Sequence, residues 1–415
     1  MSKHVVILGA GVIGLSVAAE CARRGHRVTI VERDPERRNG CSFGNAGMIV
    51  PSHFVPLAAP GMVALGLKWM WNPESPFYIK PRLSWDLVTW ALRFAAAGTR
   101  RHVEQSAPVL RDLHLASREA FVRMAEAGED FGLVQRGLLM LFQTAKALEE
   151  EAHTAEEARA LGVPADVLDA KQTAALDPAV TMEIHGAVYF PRDCHLRPEQ
   201  YIAALERRIR AANGEFHFNT EMTGWRREGS RLAAIKTTQG EIAGDEFVLS
   251  GGSWSPEMAR GLNLRLPMQA GKGYSVTLAH PVELPQICSI LCEARVAVTP
   301  MGGRLRFGGT MEIAGIDQTI NSRRVRGIIK AATRYYPRFQ EEHFAGIEPW
   351  CGLRPCSPDG LPFLGRTQAA PNLVVATGHA MMGLSLAPAT GEMVGQLIDH
   401  EPPTIDLRLL SPDRF

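Results

Sequence analysis

The sequence predicts an α/β protein in which a parallel-stranded βαβ unit is threaded through a second unit built on a mainly antiparallel sheet. Three observations carry that prediction. A buried-type strand, a glycine triplet and a helical pattern follow one another at the N-terminus. The middle of the chain holds several separate apolar runs of strand length, and the C-terminal part returns to a buried strand, two glycines and a closing helix.

The first strand is Val5-Val6-Ile7-Leu8, an apolar run of the kind that is covered on both faces. Gly9-Ala10-Gly11-Val12-Ile13-Gly14 follows, then a helical pattern through Ala22 that Gly25 ends. A second strand, Arg27 to Val31, closes on Glu32. This is the full context of a Rossmann-like dinucleotide site. Gly9 permits the tight turn, Gly11 lets a pyrophosphate approach the backbone, and Gly14 lets helix and strand pack closely. The helix N-terminus offers amide donors and a positive dipole to the phosphates. Glu32 is placed to accept from ribose hydroxyls. The pattern by itself does not choose between FAD and NAD.

Beyond Glu32 runs Cys41-Ser42-Phe43-Gly44-Asn45-Ala46-Gly47, a glycine-rich stretch whose amides can face a polar ligand. Residues 56–96 are punctuated by proline and hold Trp69, Trp71, Trp85 and Trp90, four of the seven tryptophans. An amphipathic helix is predicted over 103–127 and another over 198–212. Strands are predicted over 137–142, 186–190, 274–278, 296–300 and 305–313, which together read as a largely antiparallel sheet. The runs 216–219, 246–250 and 373–377 read as strands returning to the first unit. Proline is tolerated in the first turn of a helix, so Pro388 sets the start of the closing helix near Ser385 to Ala387, and the helix ends near Ile398. The division that follows is discontinuous: 1–50, 196–265 and 345–415 for the nucleotide-binding part, 51–195 and 266–344 for the second part.

Composition narrows the function. The 415 residues carry a formal net charge of +1, which invites neither nucleic acid nor an acidic partner. No run of eighteen apolar residues is present, so no spanning helix is expected. Met1-Ser2-Lys3 leads straight into the first strand, so no signal peptide is expected and the cytoplasm is the expected compartment. The seven cysteines are odd in number and irregular in spacing, as reduced structural thiols would be. Asp193-Cys194-His195 lacks further ligands at helical spacing, and no metal is expected.

At six ordered places the chain resembles the D-amino-acid oxidase superfamily of FAD-dependent oxidoreductases, and within it the bacterial D-amino-acid dehydrogenases. The first two are the glycine triplet with Glu32 and the segment 41–47. Next come Phe247-Val248-Leu249-Ser250-Gly251-Gly252-Ser253-Trp254-Ser255 and Gly271-Lys272-Gly273-Tyr274-Ser275. The fifth is Gly308-Gly309-Thr310-Met311-Glu312. The most specific is Gly352-Leu353-Arg354-Pro355-Cys356-Ser357-Pro358-Asp359-Gly360-Leu361-Pro362, ahead of Ala376-Thr377-Gly378-His379-Ala380-Met381-Met382-Gly383-Leu384-Ser385. The resemblance implies a FAD-binding domain of glutathione-reductase type and a sheet-based substrate domain. It also implies FAD as cofactor, with the substrate at the flavin's re face losing a hydride to N5. By the same resemblance Ser42, Asn45, Ala46, Gly47 and Gly252 join Gly9, Gly11, Gly14 and Glu32 around the cofactor, as do Gly378, His379, Gly383, Leu384 and Ser385.

A carboxylate substrate calls for a planar, bidentate cation, and Arg354 matches the family's position for it. His379 reads either as a cation beside the reduced flavin or as a hydrogen-bonded loop histidine. Tyr274, His195 and His53 are candidate substrate contacts, or packing residues behind such contacts. Gly44, Gly47, Ala380 and Met382 suggest a compact apolar site. Sarcosine-oxidase relatives attach FAD through a cysteine, but matching Ser357-Pro358-Asp359 to their motif puts Gly352, not Cys351, at that position; FAD is expected to be non-covalent. The expected reaction is dehydrogenation of a small D-amino acid, with D-proline or a hydroxylated D-proline the narrower form, electrons passing to a quinone or protein acceptor. An oxygen-using oxidase of glycine- or sarcosine-oxidase type and a non-catalytic FAD subunit are the alternatives. Trp69, Trp71 and Lys68 among the apolar residues of 60–71 raise peripheral contact with the inner membrane. A buried segment roofing the site is the other reading.

Overall fold

Val5, Val6, Ile7 and Leu8 are almost fully buried because the strand His4–Leu8 lies in the middle of a six-stranded sheet. In the computed structural model, which describes residues 1–70, 72 and 74–415, the order of that sheet is Phe363–Thr367, Ala370–Thr377, Glu246–Leu249, His4–Leu8, Arg27–Val31, Glu215–His217. All neighbours are parallel except the first pair. Parallel strands covered on both faces need continuous apolar runs, which is what the sequence supplies there.

The described helices are α1 Val12–Arg23, α2 Met62–Trp69, α3 Trp85–Ala97, α4 Arg100–Glu126, α5 Ala145–Ala160, α6 Ala170–Leu176, α7 Pro198–Ala211, α8 Ser255–Arg260, α9 Ser322–Tyr335 and α10 Gly383–Ile398. One face of the parallel sheet is covered by α1, α7 and α10, with α4 outside α10. The helices approach closely: a Cβ at Gly391 of α10 would stand 2.7 Å from the Ser16 carbonyl of α1. The closing helix begins at Gly383, earlier than its proline predicts. Pro388 therefore lies in the second turn, and the amide of the next residue, Ala389, donates to Ser117 Oγ of α4 at 3.0 Å. A neighbouring helix, not the helix start, accommodates this proline.

The second sheet has nine strands, ordered Trp350–Cys356, Gln269–Leu278, Arg304–Ile313, Val296–Met301, Cys288–Leu291, Leu138–Phe142, Gly186–Phe190, Asp166–Asp169, with Phe77–Ile79 beside the far end of the 304–313 strand. It is antiparallel save two pairs. The expected boundary at 345 falls too early, since the 350–356 strand pairs along its whole length with 269–278 and the chain crosses to the parallel sheet only at Phe363. Likewise α4, expected in the second part, packs on α10.

Side-chain alternation gives this sheet two unlike faces. Tyr274, Val276 and Leu278 point towards α9 and an apolar core with Val325, Ile328 and Tyr335, and Lys272, across a register shift, reaches Asp317 and the Thr319 carbonyl. Gln269, Gly271, Gly273, Ser275 and Thr277 point the other way, sharing their face with the paired Gly352 and Arg354. Against that second face, α3 lays Leu87 and Trp90 over Met311, Ile313 and Cys356.

Candidate active site

The two sheets meet at a cavity of about 490 Å³. Its one end is lined by Glu32, Arg33 and Trp254, its floor by Gly9, Gly11, Ile13 and Ser42, whose Oγ accepts from the Val12 amide at 3.0 Å, and its other end by Asn45, Arg354, His379 and Gly383.

Gly9 has φ +106°, and a Cβ there would come within 2.7 Å of the Ser250 carbonyl. At Gly14 a Cβ would lie 2.0 Å from the Gly9 carbonyl, so this glycine serves the packing of α1 on its strand. Gly11 differs: a Cβ there meets only Ser42 Oγ, at 3.5 Å, and would project over the N-terminus of α1. The first-turn amides of a helix have no intrahelical acceptor, and residues 11–13 line the cavity. Glu32 accepts from the amides of Ala10 (2.8 Å) and Asp34 (3.0 Å). Arg38 fixes the Ala10 carbonyl (2.9 Å) and pairs with Glu206. The guanidinium of Arg33 stacks on Trp254 at 3.7 Å. An elongated groove with an acid and aromatic at one end and a helix N-terminus midway fits a dinucleotide.

At the other end Arg354 donates to the Thr310 carbonyl at 2.6 Å, and no carboxylate among the described residues forms an ion pair with it. Its guanidinium lies on Gly273, where a Cβ would be 2.2 Å from Nη2. Thr310 holds φ +70° at a register shift between strands, a strained conformation for a β-branched residue that presents its carbonyl to Arg354. Beside them the indole of Trp350 lies against Gly44 and Gly352, where added Cβ atoms would come within 2.1 and 2.0 Å of it.

His379 is 4 % exposed; its Nε2 meets Thr390 Oγ1 at 3.0 Å and its Nδ1 has no partner. Burial pushes its pKa down to about 3. Of its two readings this favours the hydrogen-bonded loop histidine, a neutral imidazole with one nitrogen free for a ligand.

Other assigned residues stand behind the cavity wall. Tyr274 lies on the α9 face, opposite Arg354, with its hydroxyl donated to Glu312 at 2.9 Å. Burial and Glu312 push its pKa up. Of its two readings, substrate contact or packing behind one, the alternation of the strand supports packing. Ser385 accepts from the Val50 amide at 3.0 Å and meets His114 Nδ1 at 2.8 Å, so its hydroxyl is used within the protein. Gly47 (φ +75°) shapes a turn whose carbonyl accepts from Leu196, Ala46 packs in an apolar cluster, and a Cβ at Gly378 would strike Phe363 at 2.8 Å. His195 is buried beside Met48, and His53 shares Ser52 Oγ (2.9 Å) with Asp193. Cys351 also faces the α9 side, and all seven cysteines are free thiols.

Sequence reasoning missed Arg306. It is 8 % exposed and donates to the carbonyls of Phe43 (3.2 Å) and Asn45 (2.7 Å), pinning the 41–47 segment from beneath. An arginine between Leu305 and Phe307 in an apolar strand was the available signal. Among the described residues no cluster of His, Cys, Asp or Glu could hold a metal, and no helix is long and apolar enough to cross a membrane.

The comparisons agree with this geometry. The family model described as FAD dependent oxidoreductase (DAO) matches residues 4–397. A D-amino acid dehydrogenase of Cereibacter sphaeroides is 34 % identical over 418 residues, covering 99 % of this chain and 95 % of that protein. One from Agrobacterium fabrum is 32 % identical, covering 99 % of each. The structure superposes on glycine oxidase from Geobacillus kaustophilus with a TM-score of 0.81 at 25 % identity, covering 100 % of this chain and 99 % of that one. On L-proline dehydrogenase from P. horikoshii the TM-score is 0.76 at 19 % identity, covering 100 % and 98 %. A glycine-lined helix N-terminus, an acid-tipped second strand and a two-sheet cleft are thus explained together: the chain belongs to the DAO family of FAD-dependent oxidoreductases.

Proposed function

We propose that the protein dehydrogenates the Cα–N bond of a small D-amino acid, in the narrower form D-proline or a hydroxylated D-proline, and passes the electrons to a quinone or protein acceptor. The carrying observation is Arg354, a guanidinium at the cavity with one carbonyl bond and no carboxylate partner among the described residues. Two of its donors can take a substrate carboxylate in parallel. The names of the relatives support the D configuration.

When bound, non-covalently on this reading, FAD supplies the electron sink: the Cα hydrogen leaves as a hydride to N5 and the C–N bond becomes C=N. The rest falls to the chain. Glu32, with Gly11 to Ile13 and Ser42, would hold the nucleotide half and its phosphates, and Asn45 and Gly383 the flavin half. Arg354 would hold and orient the substrate carboxylate at the cavity. The first turn of α10 favours negative charge near it. Cys41, pushed up to about 11 by burial, stays a thiol. We assign cofactor binding to the layer around the parallel sheet and substrate binding to the nine-stranded sheet.

The likeness to glycine oxidase favours a second reading, an oxidase that reduces oxygen. The test is anaerobic mixing of the FAD-loaded protein with D- and L-amino acids, D-proline, glycine and sarcosine, followed by oxygen or a quinone. Bleaching by D-amino acids and reoxidation by quinone is the expected result. Peroxide formed at the rate of turnover would establish the oxidase. Bleaching by none of the panel would leave a non-catalytic FAD subunit.

A further inference from the structure

We infer that α4 clamps the first turns of α10 at the flavin end of the cavity, with His114 and Ser117 as positioning residues for the cofactor. This rests on the reading that Gly383 and Leu384 meet the flavin.

The first turns of α10 are short of internal bonds. Pro388 has no N–H to give to the Leu384 carbonyl, and its ring crowds that carbonyl. No side chain caps the helix at Met382. Yet these turns carry Gly383 and Leu384 to the cavity wall. Helix α4 supplies bonds from outside. Ser117 Oγ accepts from the Ala389 amide at 3.0 Å, one residue past the proline. His114, one turn earlier on the same face of α4, meets Ser385 Oγ at 2.8 Å. Ser385 Oγ already accepts from the Val50 amide, just after the 41–47 segment. Burial pushes the His114 pKa down to about 3, so its ring is neutral, and in the tautomer protonated at Nε2 its Nδ1 accepts the Ser385 hydroxyl proton. His114 and Ser117 are 0 % exposed and Ser385 is 1 % exposed, so no water substitutes for these bonds.

Three elements are joined at this point: the chain leaving the 41–47 segment, the start of α10, and α4. The field of a helix N-terminus falls off within its first turn. A small displacement of that turn therefore changes how well it favours added negative charge on the flavin. His114, Ser117 and Ser385 do not line the cavity, so their effect passes through the first turn of α10.

The test uses full-length Ser117→Ala and His114→Leu, with Ser117→Thr and His114→Gln keeping a hydroxyl and an acceptor, and Gly383→Asp as a cavity control. Apoprotein is titrated with FAD by flavin fluorescence, and the potential of the loaded protein is measured against redox dyes. Ser117→Ala and His114→Leu are expected to weaken FAD binding about tenfold. They should also lower the potential by about 30 mV, which is a tenfold lost preference for the reduced form at two electrons. Ser117→Thr and His114→Gln should recover most of both. Unchanged affinity and potential in Ser117→Ala and His114→Leu, with both altered in Gly383→Asp, would overturn the clamp and leave the cavity assignment standing. If Gly383→Asp also changes neither, the flavin-end assignment fails and the clamp with it. A lowered melting temperature without change in affinity or potential likewise overturns the proposal.

Discussion

Arg354 owes its geometry to two neighbours that a motif does not advertise. Gly273 leaves room for the guanidinium and the strained Thr310 turns a carbonyl to it. Losing one partner of a desolvated charge pair costs roughly 2–5 kcal/mol, or about thirty-fold to several-thousand-fold in kcat/KM. Arg354→Lys keeps charge but loses the fork, and Arg354→Ala loses both. Both should bind FAD as the native protein does and fail in substrate capture, with Ala the worse. Gly273→Ala, which pushes the guanidinium aside, should cost on the order of a hundredfold in kcat/KM. Stopped-flow bleaching against substrate concentration measures all three; loss of FAD from Arg354→Ala would place the carboxylate site elsewhere. Arg354 was legible because its motif is dense and ordered. Tyr274 stayed open between substrate contact and packing because it sits in an equally recognisable motif. The period of two was in the letters, with Gly271, Gly273 and Ser275 alternating with Lys272, Tyr274 and Val276. What the letters withhold is which of those faces the cavity borders.

At the scale of elements, the strand read over 274–278 starts at Gln269, that over 373–377 at Ala370 and the helix over 103–127 at Arg100, but the existence and type of each was readable. The start of α10 was not, because the bond that accommodates Pro388 comes from Ser117, distant in sequence. The segment 60–71 was open between membrane contact and a roof over the site, and α3, which follows it at Trp85–Ala97, has a face for each. Leu87, Trp90 and Phe94 cover the Arg354 side of the sheet, whereas Trp85, Val88 and Leu92, at helical spacing, are exposed, Trp85 by 78 %. Val63 and Leu67 of α2 are exposed as well; Trp71 lies outside the described residues. We propose that the outer faces of α2 and α3 meet a lipid surface. Trp85→Ser with Leu92→Ser should reduce co-sedimentation with anionic liposomes several-fold while leaving flavin bleaching in solution intact, since neither residue is on the inner face. Co-sedimentation that is absent in the native protein, or unchanged by the pair, counts against lipid contact.

For the whole molecule, the alternation of the chain between two sheets was legible, but the crossing at 345 was not. A strand such as 350–356 carries no mark of which sheet it joins until its partner, 269–278, is known. The same long-range packing buries ionisable groups whose positions in the chain look unremarkable, and this sets the pH dependence of stability. Burial pushes His114 and His379 to about 3 and His195 to about 4. The half-buried His53 is also lowered to about 4. A histidine whose folded pKa is depressed stays neutral while the unfolded chain takes up a proton, so stability is present above pH 6.5 and is lost as pH falls. Asp193 and Glu151, raised to about 7 by burial, act in the opposite sense, because the folded protein binds their protons between about pH 4 and 7. The imidazoles outnumber the carboxyls by one or two protons. The net slope between pH 6.5 and 4.5 is therefore roughly 1–3 kcal/mol lost per pH unit of acidification. Melting temperatures across this range should fall steadily towards acid. His114→Gln removes one imidazole and should flatten the slope by about one proton, roughly 1.4 kcal/mol per pH unit. Asn in place of Asp193 should steepen it. A melting temperature that is flat or rises as pH falls from 6.5 to 4.5 would show that the buried imidazoles are protonated in the folded protein, and the neutral His379 of the site would have to be redrawn as a cation.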